Sequence, residues 1–205
     1  TLFQSIVVCS QYLGCKKEKE ANEAARQLLF ITFVLSVVIA AICLAANGPL
    51  LRLIFGEVEP QVMKYSRQYF IISAISYPFI ALYDDGSSIF RAQENSKTPM
   101  MISLCANILN FILNILFVWG FHMEVIGSAT ATMLSRAFSM IAVLCLLRRP
   151  GLIIRLRGYL SIRPIWSQIR RILYLGIPSG IENSMFQFGK LAIQSTVSMM
   201  GTAAI

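Results

Sequence analysis

Apolar runs recur along the chain at about 28 to 46, 69 to 90, 100 to 121, 126 to 147 and 174 to 205. Each is close to the roughly 20 residues an α-helix needs to cross a bilayer. Thr1 to Ser10 reads as the tail of one more. The polar positions inside these runs are not scattered. Between the first turn after Pro99 and Trp119 they are Ser103, Asn107, Asn110 and Asn114, which fall within an arc of roughly 60° on a helix. An unpaired amide in hydrocarbon costs on the order of several kcal/mol, so this stripe predicts a helix that faces a bundle interior or an aqueous cavity.

Three other runs repeat the pattern. Ser128, Thr132, Ser135, Arg136 and Ser139 share one face of 126 to 147, and Asn183, Gln187, Lys190 and Gln194 share one face of 174 to 205. In 69 to 90, Ser73, Tyr77, Asp84 and Ser88 share a face, with Asp85 about 100° away. Serine and threonine within spans commonly bond carbonyls of their own helix or glue helices together. Charges are costlier, at about 2.5 to 3.5 kcal/mol near the bilayer centre, so Asp84, Asp85, Arg136, Glu182 and Lys190 are candidate site residues. Asp84 and Arg136 differ in depth by roughly 6 Å, within an arginine's reach, so an ion pair is the plain structural expectation for them. Asp85, nearer the cytoplasmic end, is expected to be solvated. Glu182 lies about two turns inside its span and is a candidate for loading and releasing a proton. Pro78, Gly86 and Pro178 interrupt or begin spans, and broken helices often border transport sites.

Composition strengthens the membrane reading: 56% of residues are apolar, 14% are charged, and the mean hydropathy is +0.65. The net charge of +8 does not point to nucleic acid, because the basic residues cluster in particular loops. Lys16, Lys17, Lys19 and Arg26 follow the partial first span, Arg91 and Lys97 lie in the third loop, and the fifth carries seven arginines from Arg148 to Arg171. The fourth loop, around Phe121 to Val125, has none, and the second offsets Arg52, Lys64 and Arg67 with Glu57 and Glu59. The positive-inside rule therefore puts loops one, three and five in the cytoplasm. The fifth loop is the expected domain boundary: 1–147 as one transmembrane lobe, 148–172 as a basic linker with a short interfacial helix near Arg163 to Leu173, and 173–205 as the first helix of a second lobe. Ending inside an apolar run, the chain is expected to be a fragment of a longer protein. The five cysteines show no CxxC spacing and are expected to be packing residues. His122 is the sole histidine, and no P-loop or metal-hydrolase pattern appears, so neither an enzyme nor a metal site nor a bound cofactor is expected.

Three stretches resemble one family. Ser10-Gln-Tyr-Leu-Gly14 with Ala21-Asn-Glu-Ala-Ala-Arg26, then Arg91-Ala-Gln-Glu-Asn-Ser-Lys-Thr-Pro99 with the Asn-rich span after it, then Gly176-Ile-Pro-Ser-Gly-Ile-Glu182 through Gly201-Thr-Ala-Ala204, are similar in order to the multidrug and toxic compound extrusion (MATE) family. The resemblance implies an all-α, polytopic transmembrane bundle, here helices two (partial) to seven of a twelve-helix secondary transporter. It also implies a multi-pass cell-membrane protein, monomeric at full length, that exports organic cations or drugs in exchange for H⁺ or Na⁺ by alternating access. Asn107, Asn110 and Asn114 would then supply neutral oxygens to substrate or ion. Glu182, with Asp84 and Gln187, would complete the site, and Tyr77, Arg136, Pro178 and Lys190 would serve structure or gating. Many members carry Asp-Pro where this chain has Asn114-Ile115, and an amide cannot titrate. The seventh-helix acid of other members aligns with Phe186, one turn beyond Glu182. A lipid-linked oligosaccharide flippase of the same superfamily would show a more cationic cavity, which Arg136 and Lys190 keep in view, and a non-transporting scaffold would need no polar cavity.

Overall fold

The computed structural model describes residues 18–49, 51, 60–121, 123–149, 152–154, 170, 174, 177–178, 180–190 and 193. The described residues are helical, without strands. Helix α1 is Glu18–Ala45, α2 Pro60–Ile75, α3 Tyr77–Ala92, α4 Lys97–Asn114 and α5 Glu124–Leu146. A π-helical segment, Ile115–Gly120, prolongs α4, and residues 180–190 form α6. Ala21–Ala45, Lys97–Gly120 and Val125–Leu146 are each long and apolar enough to span a membrane. The partial span at 1–10 and, apart from Arg170, the expected interfacial helix lie outside the described residues.

The run at 69–90 is divided where Pro78 is expected to interrupt it: α2 ends at Ile75 and α3 begins at Tyr77. Pro78 is the cause: it has no N–H, and its ring displaces the carbonyl four residues earlier, that of Ala74. The amide of Ser76 still closes the end of α2 by donating to Ile72 (3.2 Å) and Ser73 (3.0 Å), while Phe79 and Ile80 donate back to the Ser76 carbonyl to start α3. Proline is tolerated there because the first turn of a helix needs no N–H. The helical element also begins at Pro60, before the apolar run, and packs on α1 and α5.

The core sits at one end of the bundle. Ala21, Ala25 and Leu29 of α1 meet Ile89 and Phe90 of α3, Val143 and Leu147 of α5, and Ile102 of α4. Small side chains let the helices approach closely. A Cβ on Gly86 would lie 2.8 Å from Cγ1 of Val143, so that position admits only glycine without adjustment. Ile154, in the expected linker, is fully buried in this core. Its N–H donates to Gln93 Oε1 (3.1 Å), and Asn22 Nδ2 donates to the carbonyl of Ile153 (3.2 Å). The start of α1, the end of α3 and the segment after α5 thus gather at one end, as the loop charges require.

The Gln93 to Pro99 motif makes this joint. Glu94 takes a left-handed conformation (φ 60°), and Asn95 Oδ1 accepts from the amide (3.2 Å) and hydroxyl (3.0 Å) of Thr98. At the other end the π-helical segment lies against α5, where a Cβ on Gly127 would come within 3.1 Å of Phe117. The outer faces are apolar: Val38 and Ile42 of α1 and Met100, Ile108 and Phe111 of α4 are exposed, as lipid-facing positions should be. Cys43, Cys105 and Cys145 are free thiols, and the latter two are exposed on such faces rather than packed inside.

Candidate functional site

A polar cavity of about 290 Å³ lies between α3, α4 and α5. Ile80, Tyr83 and Asp84 line it from α3, Ser103, Ala106, Asn107 and Asn110 from α4, and Thr132, Ser135, Arg136 and Ser139 from α5. Within each helix these positions recur at three- and four-residue spacing, so the walls are the stripes of the hydropathy pattern. Those of α4 and α5 are well inside their helices, which puts the cavity near mid-span.

Most hydroxyl protons here are spent on the helix backbone. Thr132 donates to the carbonyl of Ser128, Ser135 to Ala131 and Ser139 to Ser135, each at 2.9 Å. Their oxygens are left to the cavity mainly as acceptors. The amides divide in two. Asn114 Nδ2 folds back on the carbonyl (2.9 Å) and Oδ1 (3.0 Å) of Asn110, and Asn110 Nδ2 reaches Thr132 Oγ1 at 3.5 Å, tying α4 to α5. Asn114 is therefore off the wall. Asn107 is exposed on the wall and makes no side-chain hydrogen bond with another described residue.

Arg136 is held differently from the expectation. Its Nη1 donates to the hydroxyl of Ser76, which in turn donates to the carbonyl of Ser73 (2.7 Å). Among the described residues no ion pair joins Arg136 to Asp84. The physical reason is the break before Pro78: it turns Ser76, 1% exposed, toward α5 and offers a nearer acceptor. Asp84 stays half-buried on the wall, and its backbone carbonyl accepts from Ser88. Asp85 is also corrected, because it is 1% exposed rather than solvated. The last two turns of α3 are enclosed by α1, α4 and α5, and a 100° step from Asp84 points into that packing.

The remaining candidates do not meet at this cavity. Tyr77 is half-buried at the start of α3, off the wall. Pro178, Glu182, Gln187 and Lys190 are exposed on or just before α6. Lys190 Nζ lies 4.6 Å from the centroid of the Phe186 ring, within range of a cation–π contact. Two residues at the site escape the polar-stripe pattern. Tyr83 lies on the wall and donates its hydroxyl to the carbonyl of Pro99 (3.3 Å), and Ser76 stands one position off its stripe. The signal for Ser76 was Pro78, two residues on.

The family model MatE matches residues 5–116, more than half of the chain. The chain belongs to the MatE family. Relatives agree: it is 28% identical to Probable multidrug resistance protein YoeA of Bacillus subtilis, over 98% of this chain and 44% of that protein. It is 25% identical to Probable multidrug resistance protein NorM of Thermotoga maritima, over 97% and 43%. Among solved structures, a MATE protein in the bent conformation superposes with a TM-score of 0.85 at 19% identity, covering 96% of this chain and 43% of that one. A MOP superfamily transporter from Pyrococcus furiosus superposes with a TM-score of 0.83 at 19% identity, covering 95% and 42%. The chain thus spans less than half the length of the relatives it matches. MatE membership and the three apolar helices make it part of a multi-pass membrane protein with the all-α MATE-like fold.

Proposed function

We propose that the full-length protein is a secondary multidrug exporter of the cell membrane, and that this chain supplies one side of its substrate path. The substrate class is small organic cations, exchanged for H⁺ or Na⁺ by alternating access. One observation carries the reading: the Asp84 carboxylate and the Asn107 amide share a mid-span wall with the hydroxyl oxygens of Thr132, Ser135 and Ser139. Such a wall offers one anionic oxygen and several neutral ones, a donor set suited to a cation. At about 290 Å³ it is at the small end of ligand pockets, enough for part of a drug-sized molecule. Glu182 and Gln187 of α6 are exposed and line no part of this wall; in the full-length protein they would contribute from the second lobe.

Exchange follows if substrate and coupling ion compete for Asp84. A ligand shifts the equilibrium between two states only through its differential affinity for them, so whichever cation occupies the site sets the favoured state. Arg136 on the same wall favours a second reading, an anionic substrate such as a lipid-linked sugar phosphate, and the Pyrococcus furiosus relative is described as having a binding pocket of reversed polarity. Arg136 is engaged with Ser76, which leaves Asp84 as the less committed charge.

The test is ethidium efflux from liposomes holding the full-length protein, driven separately by a sodium and a proton gradient. Efflux under one gradient and its loss in Asp84→Asn support the exporter. No efflux under either gradient, with transport of an anionic lipid-linked sugar, would favour the second reading.

A further inference from the structure

On the face of α4 nearly opposite the polar cavity, a second groove of about 350 Å³ runs between α4 and α5. Met101 and Cys105 form one wall, Phe138, Ala142 and Leu146 the other, and Lys97 and Arg149 stand together at one mouth. That mouth is at the end where Gln93 meets Ile154, the end the loop charges assign to the cytoplasm. Both cations are exposed, and neither has an acidic partner among the described residues. Glu94, three residues before Lys97, is exposed but does not line the groove.

The dimensions suit one kind of occupant. From Phe138 to Arg149 the α5 wall rises roughly 16 Å, close to the roughly 15 Å of one leaflet's hydrocarbon. An extended peptide laid there would leave backbone groups unpaired at membrane depth, and an organic cation would be repelled at the mouth. A free phosphate would make no use of the apolar trough. An anionic headgroup on an acyl chain satisfies both parts, and the cytoplasmic leaflet is where anionic lipids attract basic residues.

We propose that this groove holds an anionic phospholipid, with its phosphate between Lys97 and Arg149 and one acyl chain along Met101, Cys105, Phe138 and Ala142. The lipid would brace α4, whose opposite face carries Asn107, against α5.

The test is native mass spectrometry of the full-length protein incubated with phosphatidylglycerol or with phosphatidylcholine. Phosphatidylglycerol should be retained preferentially, and Lys97→Gln and Arg149→Gln should each lower its retention about fivefold while leaving phosphatidylcholine unchanged. Ala142→Trp, which fills the trough, should lower retention of both. Both cations are exposed, so their variants carry the test even if Ala142→Trp fails to fold. Equal retention of the two lipids, or undiminished phosphatidylglycerol in the Lys97→Gln/Arg149→Gln double variant, would overturn the proposal. So would a cross-link from Cys105 to another segment of the same chain, which would show the groove covered by protein.

Discussion

Arg136 of α5 donates through Nη1 to the hydroxyl of Ser76, the residue at the break between α2 and α3. A charged side chain on the cavity wall is thereby fastened to the point where Pro78 interrupts the neighbouring span. Any rearrangement of that break moves the guanidinium, and any ligand that attracts the guanidinium pulls on the break. Broken helices beside a polar cavity are how transporters join binding to movement.

Ser76→Ala removes the acceptor and leaves a half-buried guanidinium short of a partner. Hydrogen bonds to charged groups contribute about 1.5 to 3 kcal/mol, so thermal unfolding of the full-length protein in detergent should fall by several degrees. Ser76→Thr, which keeps the hydroxyl, should restore most of the loss. Equal melting of Ser76→Ala and wild type would show that the bond contributes nothing.

The two outer amides of the stripe should separate by phenotype. Asn114 folds back on Asn110 as part of an interhelical chain, so Asn114→Ala should cost about 0.6 to 1.7 kcal/mol of stability and leave the KM for a cationic substrate nearly unchanged. Asn107 is on the wall without a described partner, so Asn107→Ala should raise KM about fivefold to tenfold with little change in melting. Transport kinetics and melting curves of both variants decide it; the reverse assignment would show that Asn114 turns inward when substrate binds.

Much of this was legible in the chain. The α4 stripe could be read because so few polar residues interrupt an apolar run, and each had to fall on one face. Loops one, three and five could be placed at one end because their arginines and lysines mark it. Ser76 and Asp85 could not be read in the same way. Pro78 marks a break without showing which neighbouring residue it turns inward, and whether Asp85 meets water depends on how many neighbours surround the end of α3. The partner of Arg136 differs from the expectation for a related reason: depth along two straight helices points to Asp84, but the run that carries Asp84 is broken at Ser76. For Glu182 and Gln187 the difficulty lies elsewhere, since both are exposed on α6 and neither lines the cavity.

Packing at the α3–α5 crossing gives a third prediction. A Cβ at Gly86 would lie 2.8 Å and 3.0 Å from the two methyls of Val143, so Gly86→Ala should destabilise the protein by about 1 to 3 kcal/mol. Val143→Ala removes those methyls, and the double variant should recover part of the loss relative to the sum of the singles. Strict additivity in a double-mutant cycle would mean that the two residues do not press on one another.

The most direct measurement of the cavity's role is equilibrium binding of ethidium to the purified full-length protein by fluorescence polarisation, comparing wild type, Asp84→Asn and Arg136→Gln. A cation site centred on Asp84 predicts that Asp84→Asn weakens binding about tenfold or more, while Arg136→Gln, which removes a like charge, leaves it unchanged or tighter. Unaltered ethidium affinity in Asp84→Asn, together with a loss in Arg136→Gln, would contradict it.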